Sequence, residues 1–86
     1  MAIFKAEIKI KLKKGVADPE GANTKKALEL LGFSGIRELN SIKLFEVTID
    51  SESENAAKAE IEEMCRRLLA NPVIHNYSIS FRKPEG

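Results

Sequence analysis

The sequence predicts an α+β sandwich: an antiparallel sheet of three to four strands with two helices packed on one face. Three observations carry this. Residues 4–13 alternate apolar and charged side chains with a strict period of two. Two segments with apolar residues three and four apart follow recognisable helix starts, and a second alternating segment closes the chain at 75–82.

In the first strand, Phe4, Ala6, Ile8, Ile10 and Leu12 form the dry face, and Lys5, Glu7, Lys9, Lys11 and Lys13 form the wet one. Lys14-Gly15 ends it. Asp18-Pro19-Glu20 then supplies a capping side chain, a proline suited to the first helical position and an acid in the first turn. A helix is expected to about residue 31, capped by Gly32, with Thr24, Ala27, Leu28 and Leu31 as its inward stripe.

Residues 36–49 read as strand, interrupted by the turn-prone pair Asn40-Ser41, with clear alternation only at Phe45, Val47 and Ile49. A tight hairpin or one long bent strand fits, and the hairpin is preferred. Ser51-Glu52-Ser53-Glu54 matches a capping box. The second helix is expected from about 53 to 70, with Ala57, Ile61, Met64, Cys65 and Leu68 facing the sheet. Glu62 with Arg66, and Glu63 with Arg67, form its outer i,i+4 pairs. Asn71-Pro72 stops it, because proline disfavours a helical residue before it. The last strand places Tyr77, Ile79 and Phe81 on one face. The order β-α-β(-β)-α-β, as a single domain over 1–86, is that of a split βαβ, ferredoxin-like sandwich. Only Lys83 to Gly86 reads as a tail.

A chain of 86 residues has room for one small core, which rules out a cleft walled by two lobes. Fourteen basic residues against 13 acidic ones give a net charge of +1, with no global field for nucleic acid or an anionic membrane. Residues 1–5 offer no long apolar run and no cleavage site, so a cytoplasmic protein is expected. A single cysteine makes no internal disulfide, and a domain this small without staples often relies on association.

Site chemistry is sparse. The lysine run at 9–14 alternates with apolar residues and reads as a solvated strand face. An RNA-binding sheet would expose stacked aromatics, whereas Phe4, Phe45, Tyr77 and Phe81 are in phase with the core. His75, the only histidine, belongs to no nucleophile motif and reads as a surface or interface residue. Cys65 sits on an apolar stripe without a neighbouring second cysteine, which argues against metal or redox use. The acids between Glu46 and Glu63 fan around a helix rather than converge on a cation. Glycines 15, 21, 32 and 35 build no phosphate loop. An acylphosphatase-like site would need a glycine-framed segment with a trailing arginine after the first strand, whereas Lys13-Lys14-Gly15-Val16-Ala17-Asp18 puts an acid in the region where an anion would bind.

Two blocks are informative together. Leu12-Lys13-Lys14-Gly15-Val16-Ala17-Asp18-Pro19-Glu20-Gly21, followed by residues 27–33, resembles the N-terminal half of PurS, the small subunit of phosphoribosylformylglycinamidine synthase. Residues 63–77, with Leu68-Leu69-Ala70-Asn71-Pro72-Val73-Ile74 at their centre, are similar to that family's second signature. The chain departs from it at Asn40-Ser41-Ile42-Lys43, where the family usually carries Arg-x-Gly-Lys, so only Lys43 carries over.

The resemblance implies a noncatalytic role in purine biosynthesis. A glutaminase subunit (PurQ) releases ammonia from glutamine, and a large synthetase subunit (PurL) uses ATP and Mg2+ to activate formylglycinamide ribonucleotide. The small subunit, a homodimer with pairing into tetramers left open, bridges the two and assists ammonia transfer. No active site, cofactor or metal is expected in this chain. Gly15, Asp18, Pro19, Gly21, Lys43, Asn71 and Pro72 are the expected interface residues. The alternative is a free-standing ferredoxin-like regulatory module that binds a small ligand.

Overall fold

The structure, a computed structural model, describes residues 2–82; the expected tail at 83–86 lies outside the described residues. Its elements are β1 (Ala2–Leu12), α1 (Pro19–Leu30), β2 (Lys43–Ser51), α2 (Glu54–Met64), a single π turn (Cys65–Leu69) and β3 (His75–Arg82). The sheet is three-stranded and antiparallel in the order β2-β1-β3. The fold class is therefore the α+β arrangement that the periodicities predict.

The longest alternating segment takes the centre of the sheet because only there is a strand paired along both edges. Ile8 stands opposite Phe45 on one side and Ile79 on the other. Ala6, Ile8 and Ile10 form a buried cluster with Ile61, Cys65 and Ala70 of the second helical segment and its end, with Phe45, Val47, Tyr77, Ile79 and Phe81 packed around them. Phe4 and Phe81 meet edge to face at 6.4 Å. The opposite face is polar, with ion pairs from Lys5 to Glu46 at 4.0 Å and between Arg82 and Glu7.

Four expectations are corrected. Residues 33–42 form neither a hairpin nor part of a bent strand. Both edges of β1 are already occupied, and Ser41 hydrogen-bonds the side chain of Asp18 instead of a strand. The cap of α2 is Ser53, whose hydroxyl accepts from the Ala56 amide, while Ser51 is the buried last residue of β2; the expected capping box does not form, because the cap lies two residues further on and Ala56 stands where the box needs a Glu or Gln. Glu63, not Glu62, accepts from Arg66, at 2.7 Å, and it also pairs with Arg67 at 3.0 Å.

The fourth correction concerns the helical stripes. The π turn, closed by the Ala70 amide donating to the Cys65 carbonyl, inserts one extra residue into the last turn. Ala70 therefore arrives in the core and Leu68 is left 84% exposed. In α1 only Gly21 is buried; Leu31, expected to face inward, is 75% exposed and Leu30 81%. The helix ends as expected at Gly32, with φ +104°, and the Phe33 amide donates back to the Leu28 carbonyl.

Candidate functional site

Five of the seven expected interface residues, Gly15, Asp18, Pro19, Gly21 and Lys43, lie around the junction between β1, the first turn of α1 and the segment that leads into β2; Asn71 and Pro72 lie in a separate turn. Gly15, at φ +89°, lets the chain reverse after β1, with the Val16 amide donating to the Lys13 carbonyl. Asp18 then caps α1, and Pro19 occupies its first position.

Asp18 does more than cap. Oδ1 accepts from the Gly21 amide at 2.9 Å and from the Ser41 hydroxyl at 2.7 Å, and Oδ2 accepts from the Ser41 amide at 2.7 Å. These donors stabilise the ionised carboxylate and hold its pKa below the ordinary carboxylate value, the Gly21 amide first and then the two Ser41 donors, against a smaller opposing effect of burial. One side chain thus fastens residue 41 to the start of α1 across 23 positions of sequence. Gly21 makes this possible. A Cβ there would stand 2.6 Å from Asp18 Oδ2 and 2.7 Å from the Leu39 carbonyl oxygen.

The Asp18–Ser41 junction separates two depressions. The larger, about 630 Å3, has Ile10, Leu12, Ile42 and Leu69 among its walls, with Asp18, Pro19, Lys43 and His75 around them. The other, about 480 Å3, is lined by Lys11, Lys13, Lys14, Gly15, Asn40 and Asn76 among others. Lys43 opens β2, and its ammonium stands 5.8 Å from the centroid of the Phe45 ring.

Asn71 and Pro72 line neither depression. They reach the site through His75: the Asn71 amide donates to His75 Nδ1 at 2.9 Å, and the Asn71 side chain accepts from the Val73 amide at 3.0 Å. Ile74 then accepts from the Lys13 amide at 2.7 Å, which ties this turn to the end of β1. Sequence reasoning missed Ser41 and Leu39 as members of the site, and read His75 as a surface or interface residue without placing it here. Nothing local marks the first two, because their partners lie on the far side of α1.

Little in this arrangement can do bond chemistry. All three hydrogen bonds to Asp18 come from its own chain. Cys65 is fully buried, and burial, with help from Glu62 and against Arg66, pushes its thiol pKa up and away from the reactive thiolate. Among the described residues, no three His, Cys, Asp or Glu side chains converge as metal ligands, and no helix is long and apolar enough to cross a membrane. What the site does offer is a rigid, sequence-distant junction beside exposed apolar surface.

Residues 5–83 match the family model described as PurS, phosphoribosylformylglycinamidine (FGAM) synthase. The chain is 47% identical over 83 residues to the PurS subunit of Methanocaldococcus jannaschii, covering 96% of this chain and 100% of that one. It is 51% identical over 78 residues to the PurS subunit of Archaeoglobus fulgidus, covering 91% and 98%. The crystal structure of M. jannaschii PurS superposes with a TM-score of 0.83 at 49% identity, over 95% of this chain and 99% of that one. A chain in the structure of PurLQS from Thermotoga maritima shares the fold, with a TM-score of 0.86 at 24% identity over 95% and 100% of the two chains.

Proposed function

This chain belongs to the PurS family, small subunits of FGAM synthase in purine biosynthesis, and from that premise we propose that it acts as a noncatalytic bridge between PurL and PurQ in the cytoplasm. It associates with itself, as a homodimer at least, and helps enclose the passage of ammonia from the glutaminase to the synthetase. ATP, Mg2+ and glutamine are used by the other two subunits. The naming of a PurLQS assembly in T. maritima supports the choice of partners.

One observation carries the reading: the single chain is not finished as a domain. Its radius of gyration is 16.7 Å, against about 12 Å for a compact chain of this length. Its accessible surface is 6764 Å2, about 1,700 Å2 more than a folded monomer of its mass exposes. Surface of that extent is built to be covered by other chains. The enclosure has a chemical purpose. Ammonia released into water near pH 7 is mostly protonated and no longer a nucleophile, so its route must exclude bulk solvent. A rigid interface domain supplies this without a reactive side chain.

The test is reconstitution. PurL and PurQ from the same source are assayed for glutamine-dependent amidine formation with and without this chain, and for the same reaction with ammonium salt. Glutamine-dependent activity should require the chain, while ammonium-dependent activity should persist without it. Full glutamine-dependent activity in its absence would sink the proposal.

A further inference from the structure

The outer face of the sheet divides into two halves by charge. Toward the Ala2 end of β1 the charges are paired: Lys5 stands 4.0 Å from Glu46, and Arg82 meets Glu7. Toward the Leu12 end they are not. On β3 the neighbour of Lys9 is Ser78 and that of Lys11 is Asn76, and on β2 Lys9 faces Leu44. Among the described residues, no carboxylate comes within 4.0 Å of the ammonium of Lys9, Lys11, Lys13 or Lys14. The net charge of +1 conceals this, because residues 9–14 carry four lysines and no acid.

The unpaired half is also concave. The depression of about 480 Å3 lies at this end, with Lys11, Lys13 and Lys14 in its lining and Asn40 and Asn76 beside them. Two acids line it as well. Asp18, which at the sequence level counts against an anion here, already accepts three hydrogen bonds from Gly21 and Ser41. Glu38 is exposed, and among the described residues it has no ion-pair partner.

The frame of the depression is fixed by hydrogen bonds. The Lys13 amide donates to the Ile74 carbonyl at 2.7 Å, and the Val16 amide returns to the Lys13 carbonyl at 3.1 Å around Gly15. With the Gly15 turn on one side and the Asp18–Ser41 junction on another, the space suits a compact group rather than a length of chain.

We propose that this depression binds a phosphoryl group, free or carried on a small ester such as a nucleotide. Lys11, Lys13 and Lys14 supply the charge, and Asn40 and Asn76 supply neutral donors. Charge selects the ligand, since three ammonium groups attract a dianion about twice as strongly as a carboxylate at the same distance. The absence of glutamates opposite Lys9 and Lys11 gains a purpose: an acid there would neutralise this half of the face as Glu46 and Glu7 do the other. The inference is independent of the bridging role proposed above.

The test is a titration of the unmodified chain followed by amide NMR at constant ionic strength. Orthophosphate, adenosine monophosphate, adenosine and a short polyglutamate peptide are the separate probes. Orthophosphate or the nucleotide should bind saturably, with a Kd of about 1 mM or tighter, and should shift the amides of Lys13, Lys14, Gly15 and Asn76 first. Lys11→Gln combined with Lys13→Gln should weaken binding at least about tenfold, whereas Glu38→Gln should tighten it about threefold. Neither change removes a packed apolar side chain, so thermal melting should stay close to that of the unmodified chain. Tighter binding of the nucleotide than of orthophosphate assigns an ester as the ligand, and equal or weaker binding assigns the free ion. The proposal is overturned by a lack of saturation at about 10 mM of either phosphate, or by unchanged binding in the lysine variant. Adenosine that binds as tightly as its monophosphate overturns it too, and so does a tighter-binding peptide, which would make the depression a seat for an acidic protein segment. None of these outcomes bears on the reconstitution with PurL and PurQ.

Discussion

Ala6, Ile8, Ile61 and Cys65 have no exposed surface, whereas Leu31 and Phe33, residues of similar hydrophobicity in the same chain, are 75% and 57% exposed. The first group sits where β1, β2, β3 and α2 cover one another. The second sits on an arm whose order comes from hydrogen bonds: a capping aspartate, a glycine close approach and a helix end closed through Gly32. The contrast teaches that local order and burial are separable. Capping and turn chemistry can fix the shape of an arm for a cost that small polar interactions offset, while its apolar surface stays exposed.

The largest effect that should break this contrast lies in the sheet. Ile8→Ala removes a fully buried side chain between two strands and a helix, so it should cost about 2–5 kcal/mol and lower the melting temperature by roughly 10 °C or more in calorimetry. A loss as small as that of an exposed leucine would mean that the core is placed wrongly.

Gly21→Ala should be next and should act on the arm alone. In an isolated helix this change is favourable by about 1 kcal/mol. Here the new methyl would meet the Leu39 carbonyl at 2.7 Å, so residues 39–41 must move away. Hydrogen exchange should show the Ser41 amide at least about tenfold faster, with Ile8 and Ile61 amides unchanged. An unchanged Ser41 would show that the close approach is not what holds the segment.

The smallest effect sharpens the comparison by pH. Because the folded pKa of Asp18 lies below its unfolded value, its contribution is complete above the ordinary carboxylate range and fades as pH falls through the lower folded value. Followed by NMR, the Ser41 amide should titrate with a midpoint below that of a free aspartate, and Asp18→Asn should remove that titration. A midpoint at or above the ordinary value would contradict the three donors seen at this carboxylate.

The same contrast explains what could be read from the sequence. β1 and β3 were legible because their period of two is uninterrupted, and the start of α1 because Asp18-Pro19-Glu20 carries three independent start signals. The stripe of α1 was legible as apolar, but among the described residues it is left largely exposed, so an inward face was the natural and mistaken expectation. Residues 36–42 misled for a different reason: Ser41 is held by a side chain 23 residues away, which no local pattern announces. The π turn left no trace either, since Leu68 and Leu69 fit a continued α-helix equally well. Of the site, Asp18 and Gly21 were visible as helix punctuation, and their joint grip on Leu39 and Ser41 was not.

The pairing of β1 with β3 also sets a timetable. Lys5 stands beside Arg82 and Leu12 beside His75, so β1 forms one of its two paired edges with the strand of this sheet that is synthesised last. Until residue 82 has emerged, an alternating apolar strand waits with an open edge, the situation in which nascent chains stick to one another. Lys5, Lys9 and Lys11, which in the finished sheet lie on its wet face, place charges at alternate positions of that strand, the pattern that discourages association of unpaired strands during the wait.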